Sequence, residues 1–191
     1  MSALETFYPA NKAEWRNWLA QNHATQQSIW VIFYRKKTGI PSLSWSEAVD
    51  EAICFGWIDS TKKSIDEEKY RQLYSKRNPK STWSKVNKDK VKVLMEQDLI
   101  QEAGYKTIEI AKENGNWSLL DDVENLIIPK DLDQALKSNP KAEAYFLSLS
   151  KSNRKSILQW VVTAKRSDTR IKRINETVEL SAQGLKPKQF R

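Results

Sequence analysis

Glu47-Ala48-Val49-Asp50-Glu51-Ala52-Ile53-Cys54-Phe55-Gly56-Trp57-Ile58-Asp59-Ser60-Thr61-Lys62 changes its hydrophobic period partway along. Before Cys54, the apolar residues Ala48, Val49, Ala52 and Ile53 recur at helical spacing and predict a helix with one face inward. Ser44-Trp45-Ser46-Glu47 ahead of them is a capping-box pattern, which fixes where that helix starts. Gly56 offers a left-handed stop. Beyond it, Trp57, Asp59 and Thr61 alternate with Ile58, Ser60 and Lys62, the period of a strand. A second alternating stretch runs from Tyr70 to Lys76, with Asp66-Glu67-Glu68 between the two, so a hairpin is predicted.

Working outward, Ile29-Trp30-Val31-Ile32-Phe33-Tyr34 is β-branched and aromatic throughout, which predicts a central strand covered on both faces. Asn11-Lys12-Ala13-Glu14 opens an earlier helix with Trp15, Trp18 and Leu19 as its buried stripe. That helix ends near Asn22-His23, with His23 as its C-terminal cap. Arg77-Asn78-Pro79-Lys80 breaks the strand pattern. From Ser81 onward helices are predicted over about 83–97, 101–113, 131–137, 140–149, 152–164 and 168–182. Asn139-Pro140 starts one of them with Pro at its first position, and Asp131-Leu132-Asp133-Gln134 is a further capping-box candidate. In the last helix Ile171 and Ile174 are expected to face inward. The fold class is therefore α+β: a small, mostly antiparallel sheet of about three strands with N-terminal helices, then a helical C-terminal half. The division falls at Ile127-Ile128-Pro129, giving 1–128 and 129–191, packed as one unit or two.

The 191 residues are 39% hydrophobic and 29% charged, which excludes a disordered or low-complexity chain because a core can form. A single cysteine, Cys54, cannot make an internal bridge and fits a reducing compartment. The start at Met1 lacks the basic and apolar regions of a secretory leader, and the longest apolar run, Ile29–Tyr34, is too short to span a bilayer. The expectation is a soluble, cytoplasmic protein. Net charge is +8, unevenly spread: +7 over residues 62–92 and +8 over 151–191, against −6 over 93–150. Such basic blocks attract polyanions, nucleic acid among them, or face the acidic middle, or simply stay solvated.

Gly-x-Gly-x-x-Gly, Gly-x4-Gly-Lys-Ser/Thr, His-Glu-x-x-His and Cys-x-x-Cys are all missing, and with one His and one Cys neither a metal nor a cofactor is expected. Cys54 reads as a small buried filler. Asp59, on the inward face with Trp57, must find donors if buried; Arg71, Arg77, Ser81 and Ser84 are the candidates. It is either a satisfied structural carboxylate or a weak candidate for a general base. The densest segment is Lys76-Arg77-Asn78-Pro79-Lys80-Ser81-Thr82-Trp83-Ser84-Lys85. A helix start with hydroxyl caps leaves backbone amides free at a positive dipole end, and cations beside it can close over an anion. Arg77, Lys80, Ser81, Trp83, Ser84 and Asn87 are the candidate ligand-binding residues; the alternative is an ordinary cap among solvated lysines. Trp15, Trp18, Trp30, Trp45, Trp57 and Trp160 are expected in cores, whereas Trp83 and Trp117 lie beside loops where a ring or base can stack.

Glu47-Ala48-Val49 with Phe55-Gly56-Trp57-Ile58-Asp59-Ser60, and Arg77-Asn78-Pro79-Lys80-Ser81-Thr82-Trp83-Ser84-Lys85-Val86-Asn87, resemble motifs of the bacterial YdeI/OmpD-associated, or bacteriocin-protection, family. Pro129-Lys130-Asp131-Leu132, Ala164-Lys165 and Thr169-Arg170-Ile171-Lys172-Arg173-Ile174 resemble its OmdA-type C-terminal helical module. The likeness runs over nearly the whole chain. It implies an association with resistance to bacteriocins or antimicrobial peptides, and it supplies no catalytic residues. A basic protein is a poor direct trap for a cationic peptide, so an indirect role is implied. Three readings follow: a non-enzymatic binding protein for an anionic ligand, an enzyme on a small anionic substrate using Asp59 and Arg77, or a protein–protein interaction module.

Overall fold

The switch from helix to strand at Gly56 is present, and the glycine permits it by adopting φ of 73°. A computed structural model describes residues 5–191; the expectation drawn from the Met1–Phe7 end, that no leader opens the chain, rests mostly on residues outside them. Two units emerge, one ending at Trp117 and the other running from Ser118 to Arg191.

The first unit contains β1 (Thr6–Phe7), α1 (Lys12–Asn22), β2 (Ser28–Tyr34), α2 (Trp45–Cys54), β3 (Trp57–Ser64), β4 (Lys69–Lys76), α3 (Lys85–Glu96) and α4 (Glu102–Glu113). Its sheet has the order β1-β2-β4-β3, with β1 parallel to β2 and the other pairs antiparallel. The α+β class holds, with four strands instead of about three; β1 is two residues long, too short to carry a readable period. Both capping segments act as such. Asn11 accepts from the Glu14 N–H, and Ser44 with Glu47 forms the full reciprocal box.

Alternation sends Ile29, Val31 and Phe33 of β2, with Tyr74 of β4, into a core shared with Trp15 and Leu19 of α1 and with Ala48, Val49, Ala52 and Ile53 of α2. β2 is central, between β1 and β4, but its other face has no part in that core, so the expected cover on both faces is not provided by a second apolar core. Trp45 is also misplaced by the sequence reading: it opens α2, is 44% exposed, and donates its indole N–H to Asp59. The tightest packing is backbone on backbone. A Cβ at Gly104 would lie 2.4 Å from the Cys54 carbonyl oxygen, and one at Gly56 would lie 2.7 Å from that of Ala103. The Gln101 N–H donates to the same Cys54 oxygen at 2.9 Å, so the start of α4 is fastened to the Cys54-Phe55-Gly56 turn.

The second unit is helical: α5 (Asp121–Glu124), α6 (Lys130–Lys137), α7 (Pro140–Ser148), α8 (Lys151–Val162) and α9 (Ser167–Ala182). Leu132, Leu136, Phe146, Ile157, Leu158, Val161 and Ile174 form its own core. Asn139 caps α7 as expected. Asp131 does not cap α6, which starts one residue earlier, after Pro129; its carboxylate accepts from Arg170 Nε at 2.6 Å and Nη2 at 2.9 Å, and from the adjacent Leu132 N–H at 3.0 Å. The inward face of α9 starts at Ile174, leaving Ile171 one turn too early and 55% exposed. Among the described residues, no helix is long and apolar enough to cross a membrane.

Candidate functional site

Where β4 ends, the chain turns through Arg77–Ser84 into α3. Arg77 leaves the strand with its N–H donated to the Gly56 oxygen at 2.9 Å, so the turn after α2 also anchors this corner. The Arg77 side chain is only 7% exposed. Its guanidinium carbon lies 3.5 Å from the centroid of the Trp83 ring, and Nη2 donates to the Thr82 oxygen at 2.7 Å. Nε and Nη1 are buried without a hydrogen-bond partner, and among the described residues no carboxylate pairs with this cation. Burial pushes the guanidinium down to about 10, and the charge of Asp59 opposes that only in part. A crevice between Arg77, Pro79, Trp83, Thr107 and Ile110 adjoins it, with room for about one water molecule. The exposed Asn78 and Pro79 form its rim.

The remaining predicted ligand residues have definite partners. Lys80 is exposed and its N–H donates to Asn78 Oδ1 at 2.8 Å; Ser81 donates its N–H and hydroxyl to the Asn78 carbonyl oxygen at 2.9 and 2.7 Å. Asn114 and Asn116 donate their side-chain amides to the Pro79 oxygen at 2.8 and 3.2 Å, which fixes the loop to the end of α4. Ser84 caps α3 by accepting from the Asn87 N–H at 3.3 Å. The fold thus joins Arg77 and Trp83 in one stack, sets Lys80 and Ser81 in the adjoining turn, and employs Ser84 and Asn87 in the cap. Trp83 is not a free ring beside a loop: it is 1% exposed, between Arg77 and a tilted Trp117 at 5.0 Å.

Asp59 is half-buried on the inward face of β3, as its alternation with Trp57 requires. None of the four candidate donors reaches it by hydrogen bond. Arg71 lies on the opposite face of the sheet, because its register partners are Ile32 and Lys63. The carboxylate instead accepts, through Oδ2, from Trp45 Nε1 at 2.9 Å and Gln72 Nε2 at 3.1 Å. Neither donor was evident from sequence, since pairing Gln72 with Asp59 depends on the bulge between Asp59 and Lys62. The nearby Tyr74 hydroxyl is buried without a partner, and burial followed by the charge of Asp59 pushes it up.

A second charged cluster was missed. Glu51 is fully buried in α2, bound to Arg16 Nη1 at 2.6 Å, with Lys12 Nζ at 3.1 Å as an ion pair lacking hydrogen-bond alignment. Arg16 also donates to the Leu99 oxygen at 3.0 Å. The signal was available: Glu51 lies at i+3 from Ala48 on the apolar side of its helix, and Lys12 and Arg16 are i, i+4 neighbours on α1. Cys54 lies beside this cluster, its thiol pushed up to about 11 by burial and then by Glu51. His23 caps α1 through Nδ1, 2.9 Å from the Leu19 oxygen. Among the described residues, no three His, Cys, Asp or Glu side chains gather closely enough to hold a metal ion.

A family model described as a domain of unknown function (DUF8412) matches residues 7–107, more than half of the chain. The chain belongs to this family. A second model, described as Bacteriocin-protection, YdeI or OmpD-Associated (OmdA), matches residues 125–184. No curated protein and no solved structure matches the chain significantly. The YdeI/OmpD-associated likeness is therefore shown over the C-terminal helices, while both N-terminal motifs, Arg77 and Trp83 among them, fall in the DUF8412 match.

Proposed function

We propose that this DUF8412 protein is a non-enzymatic binding protein for an anionic group, with Arg77 as the cation that recognises it. The observation that carries the reading is a buried guanidinium with two unpartnered donors, no salt bridge among the described residues, the charge of Asp59 balancing it only in part, and a crevice at its side. A buried charge is costly unless it is paired, and a bound oxyanion would supply the missing acceptors. The crevice admits a single oxygen, so the rest of the ligand would lie over Asn78 and Pro79, within the field of the exposed Lys80. Trp83 holds the guanidinium flat; Ser81, Ser84 and Asn87 hold the loop and helix that carry it. A cytoplasmic site of action belongs to the same proposal and is supported by the buried free thiol of Cys54. So does an indirect part in bacteriocin protection, supported by the name of the C-terminal match and by a net charge of +8 that repels cationic peptides.

Titration calorimetry with inorganic phosphate and with acetate, against chloride at equal ionic strength, tests the reading. The wild type is expected to show saturable heat with at least one of the two oxyanions, and Arg77→Met to show none. Lys80→Gln should weaken binding a few-fold, the share of one exposed cation. Equal heats from wild type and Arg77→Met would overturn the proposal.

A further inference from the structure

The sheet face turned away from α1 and α2 carries a separate pattern. Along it lie Trp30 and Tyr34 of β2, Lys69 and Arg71 of β4 and Lys63 of β3, and the register sets Ile32, Arg71 and Lys63 in one row across three strands. Trp30 is only 8% exposed, yet it belongs to neither apolar core. Cations roof it: the Arg71 guanidinium carbon is 4.5 Å and Lys63 Nζ 5.6 Å from its ring centroid, while Lys69 Nζ is 5.7 Å from that of Tyr34. β2 and β4 contain no acidic residue, and the one acid of β3, Asp59, points to the other face. Of these cations, Lys69 alone forms an ion pair among the described residues, with Asp66 of the hairpin turn at 3.7 Å. Lys63 and Arg71 are held by the Trp30 ring, which leaves their hydrogen-bond donors available to a ligand.

From this arrangement we infer that the face binds single-stranded nucleic acid. A row of cations on a sheet suits a phosphate backbone, and a guanidinium plane lying on a tryptophan is a platform on which a base can stack. Lys63 and Lys69 contact phosphates, and Arg71, supported by Trp30, carries the base. An anionic membrane fits less well. The apolar residues of the face, Ile32, Ile58 and Leu73, are half-buried between longer side chains and do not stand out to enter a bilayer. The inference uses none of the Arg77 corner and stands or falls separately from it.

Fluorescence anisotropy with labelled oligo-dT and oligo-rU of about 15 nucleotides tests it, at salt concentrations of roughly 50 and 200 mM. The wild type is expected to bind both, more weakly at the higher salt. Lys63→Gln with Arg71→Gln should weaken binding at least about tenfold and flatten the salt slope by roughly one. A control of equal charge, Arg166→Gln with Lys172→Gln in the second unit, should change it less than about twofold. Should the sheet variant melt early by circular dichroism, Lys63→Glu and Lys69→Glu, which leave Arg71 over Trp30, read the same slope. Three outcomes overturn the inference: no binding at low salt, an equal loss in the control, or binding only to vesicles containing phosphatidylserine.

Discussion

Arg16 and Arg77 are both arginines of the first unit brought against aromatic rings and backbone carbonyls, yet their surroundings differ in one respect. Arg16 meets a buried carboxylate, Glu51, at 2.6 Å and also reaches the Leu99 oxygen. Arg77 meets a tryptophan and one carbonyl oxygen, and two of its nitrogens meet nothing. The first arrangement completes itself and ties α1 to α2. The second is incomplete, although the fold has gone to the expense of burying it. Where a charge is balanced within the protein, structure explains it; where it is left over, a ligand is the natural counterpart. Both corners share the Cys54-Phe55-Gly56 turn, with Cys54 beside Arg16 and the Gly56 oxygen accepting from Arg77.

The largest effect is expected at the balanced corner. Arg16→Met strands Glu51 as a fully buried carboxylate with only the half-exposed Lys12 near it, and the cost should be about 3–5 kcal/mol. Combining it with Glu51→Met should return stability to within about 1 kcal/mol of the wild type, because an apolar pair of similar volume needs no partner. Urea unfolding of the single and double variants checks both numbers. A double variant as unstable as Arg16→Met would mean that the pair is held for its geometry and not for its charge balance.

Cys54 gives a pH test of the same corner. Its folded value of about 11 stands above the ordinary 9.0, so the fold favours the neutral thiol. That contribution is fully present below pH 9 and is lost as pH rises from about 9 towards 11, because the unfolded chain releases its proton first. At pH 8 the thiolate fraction in the folded protein is roughly one hundredth of that in the unfolded chain. Alkylation by iodoacetamide should be slower by at least about that factor in buffer than in urea. Comparable rates would place the thiol in water and remove the seal between α2 and α4.

How far these corners could be read beforehand follows from the range of the interactions involved. The change of period at Gly56, the Ser44–Glu47 box and the Asn139-Pro140 start are local, and a local pattern is enough to set them. The pairing of Asp59 with Gln72 required a bulge, and that of Asp131 with Arg170 required two helices to meet; neither leaves a mark at short range. Trp45 was misread because an aromatic residue at a helix start suggests burial, whereas the carboxylate of Asp59 holds its indole at the surface. The sequence marks Arg77 as a candidate, but its spacing predicts a guanidinium beside an open helix end. In the fold it lies on Trp83, a ring that hydrophobicity assigns to stacking without naming its partner.

The smallest expected change in stability is at the unbalanced corner. Arg77→Met removes a desolvated charge, which favours the folded state. It also removes the bond to the Thr82 oxygen and the stack on Trp83, each worth about 1 kcal/mol in the opposite direction. Methionine follows the same path and covers the indole, so the unfolding free energy from urea titration should move by no more than about 1 kcal/mol in either direction. This is the measurement that sets the two arginines apart. If Arg77→Met costs as much as Arg16→Met, the guanidinium is a structural pin whose unpartnered nitrogens are met by ordered water, and no anion is its counterpart. If stability is kept or raised while phosphate or acetate binding disappears, the residue is held at the expense of stability for what it binds, as expected of a functional position.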